Sequence, residues 1–153
     1  MQIQLQPIEP LTFAPKKQVS IKMMDTLKVL LANGSLRKDE GVHTALSEIT
    51  DTLKSEGIES AIFWVGNQPV ARCIGCGVCV EKRSCFQNFK VNEFVKLIDE
   101  FDDFVFGTPL HYAATSGAMT SFLNRIFMIE ECNGDHFAGK PAAAAVLRRY
   151  LTK

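Results

Sequence analysis

Four of the chain's five cysteines stand in one short stretch, CIGCGVCVEKRSC, where Cys73, Cys76, Cys79 and Cys85 are separated by two, two and five residues. Thiolates are soft ligands that suit zinc or an iron-sulfur cluster. Zinc sites usually pair two separate Cys-x-x-Cys knuckles across an intervening stretch, whereas here Cys76 would belong to both. Three cysteines at steps of three with a fourth nearby look more like a cluster cradle, and Gly75 and Gly77 permit a tight wrap. Five residues rather than three precede the fourth cysteine and no proline follows it, so the spacing is not the bacterial ferredoxin one. A 4Fe-4S cluster, zinc and unligated thiols remain the three readings. A thioredoxin-like role for CIGC is weaker, because that motif should open a helix directly after a strand. Cys132, beside acidic residues near a helix end, reads as a lone thiol.

Two other turns carry chemistry-bearing residues. In NGSLRKDEGVHT, residues 33–44, Ser35 and Thr44 offer hydroxyl donors and Arg37 or Lys38 a positive charge, just ahead of a helix whose first N–H groups and dipole favour a phosphate. The stretch has neither the Walker spacing nor the dinucleotide glycine fingerprint, so a mononucleotide is the better match. A solvated turn capped by Ser35 or Thr44 is the competing reading. In GTPLHYAATSGAMTSFLNR, residues 107–125, Pro109 fixes a backbone angle, Gly107 and Gly117 allow close approach, and His111 and Tyr112 offer flat faces for stacking. An aromatic pair plugging a sheet edge is the alternative there.

The elements that must position these turns follow from apolar periodicity. LKVLLA (27–32) is a short apolar run consistent with a strand buried on both faces, and AIFWVG (61–66), DFVFG (103–107) and PAAAAVL (141–147) read as the second, third and fourth strands. Between them, Val42, Ala45, Leu46, Ile49 and Leu53 mark a first helix stopped by Gly57. Val91, Phe94, Val95, Ile98 and Phe101 mark a second, and Met119, Phe122, Leu123, Ile126 and Phe127 the inward face of a third. Strand and helix alternate throughout, which predicts an α/β fold with an open parallel sheet and helices on both faces. Residues 67–88 lack a clear period and hold the cysteines. His43 and His136 read as surface side chains and Trp64 as core.

With 153 residues, 46% of them apolar and 22% charged, the chain matches one domain over 27–153 preceded by a tail over 1–26. Seventeen basic residues balance seventeen acidic ones without a long basic run, so nucleic acid is not an expected partner. No stretch reaches the roughly 18 uninterrupted apolar residues of a membrane span, and the start lacks a signal-like pattern, so neither a membrane nor export is expected. A cytoplasmic location follows as an expectation, and a reducing cytosol argues against a stable disulfide staple.

KVLLANGSLRK, CIGCGVC, FGTPLHYAATSGAMTSFLNR and FAGKPAAAAV together resemble the NADPH-dependent FMN reductase group of the flavodoxin superfamily, in particular its iron-sulfur flavoprotein branch. The resemblance covers about residues 27–146. It implies a flavodoxin-like parallel sheet, with the strands here in the order 2-1-3-4 and the family's fifth strand missing from a chain shortened at its carboxyl end. It further implies assembly as homodimers or homotetramers. The first turn would hold the FMN phosphate through Ser35, Arg37, Val42, His43 and Thr44. The third would border the isoalloxazine ring with Pro109, Leu110, His111, Tyr112, Ser116 and Gly117. Cys73, Cys76, Cys79 and Cys85 match the branch's cluster motif.

The first turn departs from the family pattern: Leu36 replaces a proline, and Glu40-Gly41-Val42 stands where an Asn and a hydroxyl residue belong. Losing two hydrogen bonds to a charged group, at roughly 1.5 to 3 kcal/mol each, would weaken FMN binding by about a hundredfold or more. The implied function is hydride transfer from NAD(P)H to FMN and onward transfer of electrons to a quinone, flavin or other small acceptor or redox protein. The alternatives are an electron carrier without a nicotinamide site and a truncated, non-catalytic flavodoxin-like fold.

Overall fold

The computed structural model describes residues 26–87, 89–134 and 136–148, so the expected tail lies outside the described residues except for Thr26. The chain runs β1 (Lys28–Asn33), α1 (Val42–Ser55), β2 (Glu59–Trp64), the short α2 (Val78–Glu81), α3 (Phe89–Leu97), β3 (Asp103–His111), β4 (Ala114–Thr115), α4 (Gly117–Cys132) and β5 (Ala142–Leu147). A single 3-10 turn, Ile98–Glu100, continues α3.

Four strands are parallel in the order β2-β1-β3-β5, which is the expected flavodoxin-like arrangement, since β5 is the fourth strand of the sequence pattern. The sheet has one more strand than the four expected: β4, two residues long, folds back antiparallel on the end of β3, pairing Leu110 with Thr115 and His111 with Ala114. β3 accordingly runs four residues past the expected Gly107, and β2 starts two residues early.

β1 is central and shows why its residues are apolar without alternation. Leu30 and Ala32 face a core of Phe94, Phe104, Phe122 and Ile126 supplied by α3, β3 and α4. Val29 and Leu31 face the opposite way, onto Val42 and Leu46 of α1. Burying each large side chain contributes about 1.5 to 3 kcal/mol. Phe94 and Phe122 meet edge to face at 5.3 Å, an arrangement that fixes α3 against α4 beyond area alone. Phe127, expected inward on α4, is instead half exposed, its edge against Phe137 at 5.7 Å. It follows Ile126 by one residue, which turns it about 100° off the buried stripe.

α1 ends where expected: the Glu56 amide closes on Leu53 and Thr52, and Gly57 adopts φ 75°. Among the described residues no helix is long and apolar enough to cross a membrane. β1 is followed by β2 on one side and flanked by β3 on the other, so strand order reverses between β1 and β3. Their carboxyl ends therefore form the crevice in which open α/β sheets bind ligands.

Candidate functional site

The first and third turns meet at that crevice. Asn33, the last residue of β1, is the register partner of Gly107 midway along β3, and the Gly34 amide donates to the Gly107 carbonyl at 2.8 Å. A Cβ on Gly34 would lie 2.5 Å from Met119 Cε and 3.1 Å from that carbonyl oxygen, so a side chain there would make Met119 move and press on the closure. Ser116 locks the closure. Its hydroxyl donates to the Gly34 carbonyl at 3.3 Å, accepts the Met119 amide at 3.2 Å as the cap of α4, and accepts from Thr108 Oγ1 at 3.3 Å. This serine, assigned to the ring by resemblance, is buried and holds two turns and a helix together.

At the phosphate end, Ser35 is nearly buried. Its amide donates to Asn33 Oδ1 at 3.0 Å and its hydroxyl accepts the Arg37 amide at 3.2 Å. Asn33 also donates from Nδ2 to the Lys38 carbonyl, and Trp64 donates from Nε1 to the Ser35 carbonyl at 2.8 Å. Trp64, read as core, is half-buried and braces this turn. α1 then opens at Gly41, with φ 42°, no side-chain cap and no acid in its first turn. No serine or aspartate side chain closes this end; the His43 amide donates to the Glu40 carbonyl at 3.0 Å, and the helix dipole there favours an anion. Val42 is buried under α1, Thr44 is exposed, and half-buried His43 meets Ser47 Oγ through Nδ1 at 3.3 Å. Arg37 is held by Glu40 at 2.6 Å, both exposed, which turns the expected phosphate cation partly toward a carboxylate.

At the ring end, Pro109 and Leu110 are half-buried in β3, and the hairpin carries His111 and Tyr112 out beyond the edge, both exposed. Tyr112 and Ala113 have φ 47° and 62°, the left-handed pair that a two-residue primed turn requires. Neither is glycine. Such strain costs about 1 to 3 kcal/mol per residue and clusters at functional sites. Gly117 follows Ser116 at the start of α4, with open space where a side chain would stand. The arrangement fits FMN: an uncapped helix terminus for the phosphate and, across the Gly34–Gly107 closure, an exposed hairpin for the ring.

The cysteine loop forms a separate cavity of about 170 Å³. Cys73, Cys76, Cys79 and Cys85 all line it, and so does Cys132, the last residue of α4, expected to stand alone. The α4 residues on its wall, Arg125 to Cys132, begin eight residues past Gly117, about 12 Å along the helix from the ring turn.

Arg125, almost fully buried, anchors the loop at both ends. Its guanidinium donates to the carbonyls of Ala71 and Arg72 before the first cysteine, and to Gln87 Oε1 and Cys85 Sγ, each at 2.7 Å, after it. Asn92 clamps the Cys85 backbone, accepting its amide at 2.6 Å and donating to its carbonyl at 2.7 Å, and Asn133 donates to the Cys79 carbonyl at 2.7 Å. Burial, first, and then the Cys132 thiol raise the Cys79 pKa above its ordinary value.

A second anchor joins the loop to α3 and α4. Arg83 pairs with Asp99 at 2.6 Å and with the buried Glu130 at 3.0 Å, and His136 Nδ1 meets Asp99 at 2.7 Å. Burial works against the Arg83 charge, but Asp99 and Glu130 outweigh it and raise its pKa, while Arg83 and then His136 hold the Asp99 carboxyl below its ordinary range. His136 is therefore part of an ion network rather than a plain surface residue. The donor set, soft thiols beside a buried cation, fits an anionic thiolate-ligated group in its chemistry. Among the described residues no three His, Cys, Asp or Glu side chains converge on one point in ligand geometry.

Sequence reasoning missed Arg125, Asn33, Trp64 and Cys132. Two of them left a readable signal: Arg125 and Cys132 stand three before Met128 and four after it, on one helical stripe.

The profile of the NADPH-dependent FMN reductase family matches residues 27–149. An iron-sulfur flavoprotein of Archaeoglobus fulgidus is 27% identical over 93 residues, 61% of this chain and 42% of that protein. One of Methanocaldococcus jannaschii is 26% identical over 99 residues, 65% of this chain and 51% of its own length. The chain thus spans about half the length of these curated relatives. Among solved structures, RosB bound to 8-demethyl-8-formylriboflavin-5'-phosphate superposes with a TM-score of 0.63 at 19% identity, over 81% of this chain and 53% of RosB. FerB, a flavoenzyme NAD(P)H:acceptor oxidoreductase from Paracoccus denitrificans, gives 0.57 at 16% identity, over 84% and 78%. Both show the shared fold. Since the matched residues include every strand and both turns of the crevice, the chain belongs to the NADPH-dependent FMN reductase family.

Proposed function

We propose that this chain is an FMN-dependent oxidoreductase that takes electrons from NAD(P)H and delivers them to a quinone, a flavin, another small acceptor or a redox protein. The observation that carries the reading is the Gly34–Gly107 closure, which sets the uncapped amino terminus of α1 and the strained hairpin at one crevice in a member of this family. FMN supplies the redox chemistry when bound, accepting a hydride and releasing electrons to an acceptor. The protein supplies placement. The amino-terminal turn of α1, Val42 to Thr44, and the Ser35–Arg37 turn would hold the phosphate, the His43 amide being already bonded to the Glu40 carbonyl, with Pro109, Leu110, His111, Tyr112 and Gly117 along the ring. Ser116 keeps the two halves in register.

Cys73, Cys76, Cys79 and Cys85 would hold a 4Fe-4S cluster, with Arg125 offsetting part of its negative charge. The iron-sulfur flavoprotein relatives support this. The cytoplasm, where thiols stay reduced, suits these residues. Assembly into a homodimer or homotetramer suits β5, whose residues from Ala142 to Ala144 and Val146 are exposed and apolar.

The test is anaerobic NADPH oxidation with FMN and a benzoquinone. A rate well above that of FMN alone supports the reading, and a rate equal to it removes it. The five-thiol cavity favours a second reading, an electron carrier without a nicotinamide site. Protein that takes up FMN, iron and sulfide yet leaves NADPH untouched would establish that one instead.

A further inference from the structure

Cys132 has no place in the four-cysteine motif, yet it lines the same cavity. Two contacts bracket it against Cys79. The Cys79 thiol approaches the Met128 carbonyl at 4.0 Å, one helical turn before Cys132, and the Cys79 carbonyl is held by Asn133, the residue directly after it. Both thiols open onto the one cavity, and both are free and partly buried. Cys79 is thereby fixed to the end of α4 on both its polar backbone and its sulfur.

We propose that Cys79 and Cys132 are a redox pair that closes into a reversible disulfide when a small-molecule disulfide is present. One thiolate attacks a sulfur of the oxidant, its S–S bond breaks, and one small thiol leaves a mixed disulfide behind. The other protein thiol loses its proton and displaces the second small thiol. The two cysteines have then given two electrons and two protons to the oxidant, which ends as two thiols. The bond leaves Cys73, Cys76 and Cys85 as a three-thiol set, one short of the four that close a cluster or structural zinc site. This inference goes beyond the proposed function and does not depend on it, because it concerns the metal-free chain.

The experiment exposes the metal-free full chain to oxidised glutathione, blocks the remaining thiols, and maps the peptides by tandem mass spectrometry. Fragmentation is needed because Cys73, Cys76 and Cys79 lie between Arg72 and Lys82 and share one tryptic peptide. The expected product is a Cys79–Cys132 cross-link that dithiothreitol reverses. It should be absent from both Cys132→Ser and Cys79→Ser, with the remaining cysteine of the pair carrying glutathione. Cross-links confined to Cys73, Cys76 and Cys85, separate glutathione adducts on Cys79 and Cys132 of the wild type, or no reaction at either thiol would each overturn the proposal.

Discussion

Arg125 donates to the sulfur of Cys85 at 2.7 Å, from a guanidinium that is almost wholly buried. Its other hydrogen-bond partners are two backbone carbonyls and an amide oxygen, so among the described residues the ionisable group bonded to this cation is a thiol. A buried charge is costly unless paired and hydrogen-bonded, and here the hydrogen bonds come from both ends of the cysteine loop. The core helix and the loop are one structural unit through this side chain.

Arg125→Ala should therefore lower stability by about 3 kcal/mol or more, the scale for breaking a buried charged network. Arg125→Lys keeps the charge but not the planar fork, and should lose most of the same bonds. Urea unfolding gives the stability. Alkylation rates of the loop cysteines should rise in both variants while the far-ultraviolet circular dichroism stays near wild type.

A Cβ at position 107 would lie 2.8 Å from Val42 Cγ1 and 2.9 Å from Leu46 Cδ1, both on α1. Gly107→Ala must push the start of α1 off the crevice, at a cost of about 1 to 3 kcal/mol. FMN affinity should fall with it, measured by quenching of flavin fluorescence. Unchanged affinity would separate α1 from the phosphate.

Ser116→Ala removes the cap of α4 and the bond to Gly34 together. The loss should be about 1 to 2 kcal/mol, read by thermal or urea unfolding. FMN binding should weaken even though the hydroxyl is buried, because the two turns lose their link.

Glu40 occupies Arg37 and adds negative charge beside the phosphate turn. Glu40→Gln should release the arginine and raise FMN affinity by about two- to fivefold, in keeping with an exposed pair worth under roughly 1 kcal/mol. Titration at two salt concentrations checks it, since the gain should shrink at high salt.

Arg83 and His136 hold the Asp99 carboxyl below its ordinary value of 3.8. Below that pH the unfolded chain takes up the proton before the folded one does. The stability Asp99 contributes is thus present in full above pH 3.8 and lost as pH falls through the folded value. Urea midpoints measured through this window should drop less steeply in Asp99→Asn than in wild type.

The apolar runs and helical periods made the parallel sheet legible because each buried element repeats a simple pattern, as Leu30 and Leu31 do on opposite faces of β1. The hairpin was not legible, since Tyr112 and Ala113 are not the residues that usually adopt left-handed angles. The crevice was located by its turns, but the part each residue plays came from three-dimensional partners. Ser116 sits 82 positions from Gly34 and Trp64 sits 29 from Ser35, separations at which local pattern carries no information. Arg125 escaped notice for a related reason: an arginine on an apolar stripe is explained only by the loop that wraps it.

The most direct measurement is a visible spectrum of the anaerobically prepared chain after FMN has been added and the excess removed by gel filtration, followed by NADPH. The account predicts that flavin absorbance elutes with the protein in stoichiometric amount and bleaches when NADPH is added. Flavin that elutes free of the protein, or that stays bound and unbleached, would contradict it.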